Sequence, residues 1–269
     1  MIQVQDNFAD ISRPSAGRIY DYLLGGSHNF DVDRQAAEQV VQFFPFLPKA
    51  MRLQRWCLQD VALNLTQQRG LDVIIDFGSG LPTMEHLHSS AVPGTTIVYS
   101  DSDPIVVEFA KDILTHTSGT YYFQADARHP EELLGRPEVQ EILNGRTDVG
   151  LVCWGISGFL ADNDLQHIAQ TLYEKTGPNS VWAFNAQGAN SNRDDPEMKK
   201  LLARYQQMGS PFHIRTTEQY IELVKPWRPE GGEFIALTEW NGFDQTIMTP
   251  QDLSSAGPGG GGYGAYLIK

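Results

Sequence analysis

Cysteine is scarce. Cys57 and Cys153 stand far apart, with no Cys-x-x-Cys spacing and no metal-binding partners nearby. A disulfide framework or a zinc site is not expected, the simpler reading is two buried thiols, and no metal is expected elsewhere. Long apolar runs are missing too: no window approaches the roughly 20 residues of a membrane span. The opening MIQVQDNFADISRP carries acids where a secretory leader needs an apolar stretch, so a cytoplasmic protein without membrane contact is expected. Runs of basic residues are also absent. With 20 Lys plus Arg against 33 Asp plus Glu the net charge is −13, which argues against a phosphate backbone as partner and suits a small neutral or cationic molecule. What is present, 41% hydrophobic and 20% charged residues over 269 positions, is enough for one sizeable core, in a monomer or homodimer.

From residue 72 onward, short β-branched runs alternate with helical patterns, as in a parallel sheet covered by helices. The spacing predicts strands at 72–77, 96–100, 120–125, 148–153 and 179–185. Ile105, Val106, Phe109, Ala110 and Ile113 share one helical face, and Leu165, Ile168, Ala169 and Leu172 another. Further on the pattern predicts helices over 195–208 and 216–225, the second opened by the capping box TTEQ, then strands near 233–239 and 263–268 able to pair as a hairpin. The run SSAGPGGGGYG (254–264) reads as a mobile connection, because so many glycines lose much entropy on ordering. The first 70 residues read as helices around 14–26, 32–44 and 53–65. They form a cover (1–70) belonging to the same domain as an α/β core over 71–269.

The stretch DFGSGLPT (76–83) puts Gly78 and Gly80 directly behind the first strand, where open α/β sheets bind ligands against bare main chain, with Pro82 expected to open a helix. A dinucleotide fingerprint needs a third Gly or Ala where Thr83 stands, and no Gly-Lys-Ser/Thr ending makes a phosphate loop. Asp76, Asp101 and Asp126 fall 25 residues apart at the ends of the first three strands. An acid after the second strand accepts the two hydroxyls of a ribose, and one after the third receives the exocyclic amine of an adenine. Together they describe an adenosine-bearing ligand without a pyrophosphate.

The motifs DVIIDFGSGLPT, IVYSDSDPIV and QADARHPEEL resemble the first three cofactor motifs of class I S-adenosylmethionine-dependent methyltransferases. RPSAGRIYDYLLGGSHNFDVDRQAAEQV (13–40) resembles the amino-terminal signature of a mostly actinobacterial family within that class, long carried as a domain of unknown function. The resemblance runs from about residue 12 to the last strand, and its specific part is RIYDYLLGG. It implies an α/β, Rossmann-like fold: a seven-stranded, mostly parallel sheet of order 3-2-1-4-5-7-6 with the last strand antiparallel, helices on both faces and an amino-terminal helical cover. It implies S-adenosylmethionine as cofactor, with Gly78, Ser79 and Gly80 against the methionine part, Asp101 on the ribose, Asp126 and Ala127 at the adenine, Asp76 and Ser102 also among the cofactor-binding residues, and Arg18, Tyr22, Gly26 and Asn29 as candidates in the cover.

Methyl transfer depends mainly on alignment and needs no obligatory side chain, so the catalytic residues stay open, with His28 and His129 as weak candidates for a base. A sulfonium favours aromatic faces, for which Tyr20, Tyr22, Trp154 and Phe159 are candidates, Trp154 being assigned to the cofactor. Ser157, Phe159, Asn185, Gln187 and Asn190 are expected on the acceptor side. The chain departs from the family where members tend to carry Leu-His-Phe and Ser-His-Ala segments: here GISGFL (155–160) and FNAQGAN (184–190) remove both histidines. The expectation is a methyltransferase acting on oxygen or nitrogen of a small molecule, in specialised metabolism. The alternatives are a protein of the same fold that binds S-adenosylmethionine without transferring methyl, and a nicotinamide-dependent oxidoreductase, which Thr83 and the long leading segment disfavour.

Overall fold

The computed structural model describes residues 11–83, 85–207, 209–242 and 247–269. Three helices lead: α1 (Ala16–Leu23), α2 (Asp31–Phe43) and α3 (Leu47–Leu63). α1 begins behind Pro14-Ser15 and stops before Gly25, whose φ of +88° no ordinary helical residue adopts. α3 starts earlier than expected, because Pro48 fits the first turn of a helix, and it continues into a π turn at Asn64–Gln68.

The core then alternates as the pattern predicts: β1 (Val73–Phe77), α4 (Leu87–Ser90), β2 (Thr96–Asp101), α5 (Pro104–Ile113), β3 (Thr120–Gln124), α6 (Pro130–Leu134), α7 (Pro137–Leu143), β4 (Gly150–Cys153), α8 (Asp162–Lys175) and β5 (Val181–Gln187). There follow α9 (Pro196–Gln207), α10 (Thr217–Leu223), β6 (Arg228–Pro229), β7 (Ile235–Ala236), α11 (Pro250–Ala256) and β8 (Gly262–Ile268). The expected capping box is formed, with Thr216 accepting from Gln219 N–H at the start of α10.

The sheet order is β3-β2-β1-β4-β5-β8-β6, with β8 antiparallel to β5 and β7 also pairing β8. This is the implied order with one strand more. The expected strand 233–239 pairs over only two residues, Ile235 opposite Gly264 and Ala236 opposite Tyr263, while Arg228–Pro229 pairs farther along β8. A turn through Gly231 and Gly232, both at positive φ, breaks the ladder between them.

Two further expectations need correction. No helix follows the glycines at Pro82. Residues 81–83 have no regular structure, Thr83 being tied by its hydroxyl to Asp21 of α1, and the four-residue α4 starts only after His86, whose Nδ1 accepts from Leu87 N–H. The run 254–264 is not a loose connection. α11 occupies its start, and Gly260 is packed so tightly that a Cβ there would lie 2.8 Å from Thr238 Cγ2 and 3.0 Å from Leu53 Cδ2.

Strand alternation divides the core. Val73, Ile75 and Phe77 face α6, α7, α8 and α10, whereas Ile74, Tyr99 and Val152 face the layer containing α3 and α5. Asp76 pairs in register with Tyr99 and Val152 and, two residues from Ile74, shares their face. The α3 layer therefore lies over the acid of the glycine stretch.

Candidate functional site

Gly78 and Gly80 turn the chain at φ +67° and +63° at the end of β1. A Cβ on Gly78 would meet Ile156 Cδ1 at 2.8 Å. The turn is held from every side: Ser79 N–H donates to Ser100 O (2.8 Å), Gly80 N–H to Asp101 Oδ2 (3.0 Å), and Tyr122 hydroxyl to Gly80 O (2.6 Å). His86 Nδ1 accepts from Leu87 N–H, which leaves the ring proton on Nε2, 3.2 Å from Ser79 O. Burial holds His86 well below the ordinary histidine range, so the ring is neutral.

Asp101 accepts from Gly80 N–H through one oxygen and from Asp103 N–H (2.9 Å) through the other. Burial of the carboxyl pushes it up to about 6 against the pull of these N–H groups, and each oxygen keeps a lone pair for a further donor. Asp76 is 2% exposed, and burial pushes its carboxyl up to about 8, opposed by Ser79 and by the nearby Arg55 charge. Asp126 lies at the end of β3 with its carboxylate turned onto Arg128, whose hydrogen bonds hold it below the usual range. Ser102 is exposed, and Ala127 packs partly buried against the α8 side.

The cover is fastened to this turn by α1. Arg18 donates from Nε to Asp33 (2.8 Å), from Nη1 to Asp103 (2.8 Å) and from Nη2 to Arg13 O (2.7 Å). Asp21 accepts from Thr83 hydroxyl (3.0 Å), His28 N–H (2.9 Å) and Asn29 Nδ2 (3.0 Å). Gly26 has to be glycine: a Cβ would lie 2.1 Å from Asp21 Oδ1. Arg18, Gly26 and Asn29 thus belong to the fastening between cover and loop, while Tyr22 points to Glu38 of α2 (3.0 Å).

The remaining candidates separate. Trp154 donates from Nε1 to Gln54 O (3.0 Å) and meets Trp240 edge to face. Asn185 bridges Gly155 N–H and Tyr263 O, and Ser157 Oγ donates to Asn185 O (2.6 Å), so both brace the turns after β4 and β5. Gln187 Oε1 is buried without a partner. Phe159 packs with Tyr205 and Phe212, and Asn190 lies exposed beside Thr217. His28 stacks edge-on against Phe109 of α5, with Nδ1 buried and unpartnered. His129 sits at the surface with Glu131 and His167, the one grouping among the described residues that could hold a metal ion. A groove of about 680 Å³ lined by Asp162, Arg193, Phe212 and Arg215, among others, takes no wall from the loops after β1, β2 or β3.

Two residues escape sequence reasoning: Gln54 and Arg55 of α3, 1% and 4% exposed. Both amide atoms of Gln54, and Nε and Nη1 of Arg55, lack hydrogen-bond partners. A signal was available. Arg55 stands four residues after Met51 and three before Leu58, on the apolar stripe of its helix.

A family model described as S-adenosyl methyltransferase matches residues 3–256. The chain belongs to that family. A member of it uses S-adenosylmethionine as cofactor and is a methyltransferase, which sets aside the nicotinamide alternative. Among solved structures, a candidate methyltransferase from Thermobifida fusca is 24% identical with TM-score 0.84, over 100% of this chain and 99% of that one. A DUF574 family protein from Streptomyces avermitilis is 25% identical with TM-score 0.83, over 97% and 99%. Human N-acetylserotonin methyltransferase in complex with S-adenosylmethionine shares the fold at 14% identity and TM-score 0.50, over 96% of this chain and 63% of that one. None of the curated proteins compared with the chain matches it. Among the described residues, no helix is long and apolar enough to cross a membrane.

Proposed function

We propose that this methyltransferase acts on an oxygen or nitrogen of a small-molecule acceptor in specialised metabolism. The observation that carries the reading is the roof over the ends of β4 and β5. Ala50 and Leu53 of α3 press on the turn Gly260–Gly261, and Gln54 Oε1 lies 3.3 Å from where a Cβ on Gly155 would be. A helix closing over these strand ends favours a small acceptor over a macromolecule, and the unpartnered amide atoms of Gln54 and Gln187 supply neutral hydrogen-bonding groups for one.

The residues present fit the cofactor. Bare, positive-φ backbone at Gly78 and Gly80 admits close approach, Asp101 retains acceptor capacity for a ribose diol, and buried polar atoms of α3 lack partners. Gly78, Ser79 and Gly80 would hold the methionine part, Asp101 the ribose, and Asp126 with Ala127 the adenine edge. S-adenosylmethionine supplies a methyl on a sulfonium sulfur that a nucleophile displaces. The chain's contribution is alignment and exclusion of water, which can supply roughly 7–11 kcal/mol of the barrier.

Calorimetric titration with S-adenosylmethionine, S-adenosylhomocysteine and NAD, followed by transfer of labelled methyl to a panel of phenols and amines, tests this. The expected result is binding of the sulfur nucleosides only, weakened roughly tenfold or more by Asp101→Ala, with label in a small product. Binding without any labelled product would favour a non-transferring protein. Label found only in protein or nucleic acid would overturn the small-molecule reading.

A further inference from the structure

Three arginines of the described chain are buried, and they are not treated alike. Arg18 and Arg215 each place Nε, Nη1 and Nη2 on oxygen atoms: Arg18 on Asp33, Asp103 and Arg13 O, Arg215 on Asp162, Ser157 O and Leu160 O. Arg55 is as deeply buried, yet its Nε and Nη1 have no partner, and among the described residues it forms no ion pair. Tyr20 is its neutral neighbour, with the ring 5.2 Å from the guanidinium carbon and the hydroxyl within its reach, and these contacts offset only a fraction of the cost of desolvating a full charge. Arginine stays protonated at any pH of interest and cannot escape that cost by losing a proton.

The surroundings narrow the partner. The guanidinium lies close enough for its charge to act on Asp76, His86 and Tyr99, behind the glycine turn. Asp76 is not a sufficient counter-ion, because burial keeps its proton on to about pH 8. A planar guanidinium offers a carboxylate two parallel hydrogen bonds either from Nε with Nη2 or from Nη1 with Nη2, and in Arg55 one donor of each pair is without a partner. Adenine, ribose diol and ammonium do not offer that; the one carboxylate in the cofactor is that of its amino-acid end.

We infer that Arg55 is the anion site of the cofactor pocket, receiving the α-carboxylate of S-adenosylmethionine from α3. This rests on the placement of the cofactor at the glycine turn proposed above. It makes α3 a binding element, and it makes the helical cover the source of selectivity between whole cofactor and fragments that lack the amino acid.

The test compares two ligands that differ in that carboxylate. S-adenosylhomocysteine carries it, and 5′-methylthioadenosine does not. Both are titrated calorimetrically against wild-type protein, Arg55→Met and Arg55→Lys, with thermal melts of each protein alone. The expected result is a loss of roughly 30-fold or more for S-adenosylhomocysteine in Arg55→Met, a smaller loss in Arg55→Lys, and unchanged affinity for 5′-methylthioadenosine. Arg55→Met without ligand should melt no lower than wild type, since an unpaired buried charge is replaced by a side chain of similar size. Equal weakening of both ligands would mean a structural role and overturn the inference. Unchanged binding of both would also overturn it. If wild-type protein fails to bind S-adenosylhomocysteine at all, it is the placement of the cofactor that falls.

Discussion

Replacing Asp21 by alanine is the sharpest test of how the cover is held. The carboxylate accepts three hydrogen bonds, from Thr83 hydroxyl, His28 N–H and Asn29 Nδ2, and the residue is 1% exposed. Its loss strands three donors. Each buried donor left without a partner costs about 1–3 kcal/mol, and with water reaching the half-buried ones the sum is about 3–6 kcal/mol. At about 2–4 °C per kcal/mol for a chain of this size, Tm falls by at least about 6 °C. Thr83→Val removes one of the three and should cost about 1–2 kcal/mol. Because both changes break the same bond, the double variant should be less damaging than the two single costs added together. Urea denaturation of the four proteins measures the cycle. A cost below about 1 kcal/mol for Asp21→Ala, or strict additivity with Thr83→Val, would refute the reasoning.

The glycine turn and the buried acid behind it give two further expectations. Gly80→Ala should cost about 1–2 kcal/mol from its φ of +63° alone, the nearest neighbour of the new Cβ being 3.9 Å away, whereas Gly78→Ala adds a clash with Ile156 and should be worse; urea titrations giving the opposite order would contradict the packing described here. Asp76 holds its proton to about pH 8 in the folded state but only to about 3.8 when unfolded, so between these values the native state binds the extra proton and stability falls as pH rises. Asp76→Asn should remove a slope of up to about 1.4 kcal/mol per pH unit in that window, seen as a difference between the two pH profiles of unfolding free energy; parallel profiles would show that Asp76 titrates normally.

Much of the fold is legible because its causes are local. The β-branched runs at Val73–Phe77 and Thr96–Asp101 and the capping box at Thr216 declare themselves within a few residues. The three strand-end acids follow from the same reading, since each sits where its strand stops. The glycine run before β8 misleads because entropy argues for looseness, while its close approach to Leu53 and Thr238 depends on chain some 20 to 200 residues away. Arg55 is hidden for a related reason. α3 carries Arg52 and Arg55 three residues apart, one exposed and one buried, and which of them faces inward is decided by how the helix sits on the sheet.

The most specific stretch of the sequence, RIYDYLLGG, performs a task that motif reading alone assigns to ligand contact. Gly17 sets α1 against the glycine turn, with Gly80 Cα 3.7 Å from the position of a Cβ on Gly17. Arg18 grips Asp103, whose N–H orients Asp101, and Asp21 grips Thr83 at the other end of the turn. One short helix therefore clamps both Asp101 and the glycines, so the order of the glycine turn is tied to the docking of the cover. Hydrogen exchange gives the decisive reading. The Gly80 and Asp103 amides, both bonded to the Asp101 carboxylate, should lose protection together with the α1 amides in Asp21→Ala, while β4 amides keep theirs. Loss of α1 protection with the two loop amides unchanged would mean that the loop is set by the sheet alone, and that the signature serves only to attach a helix.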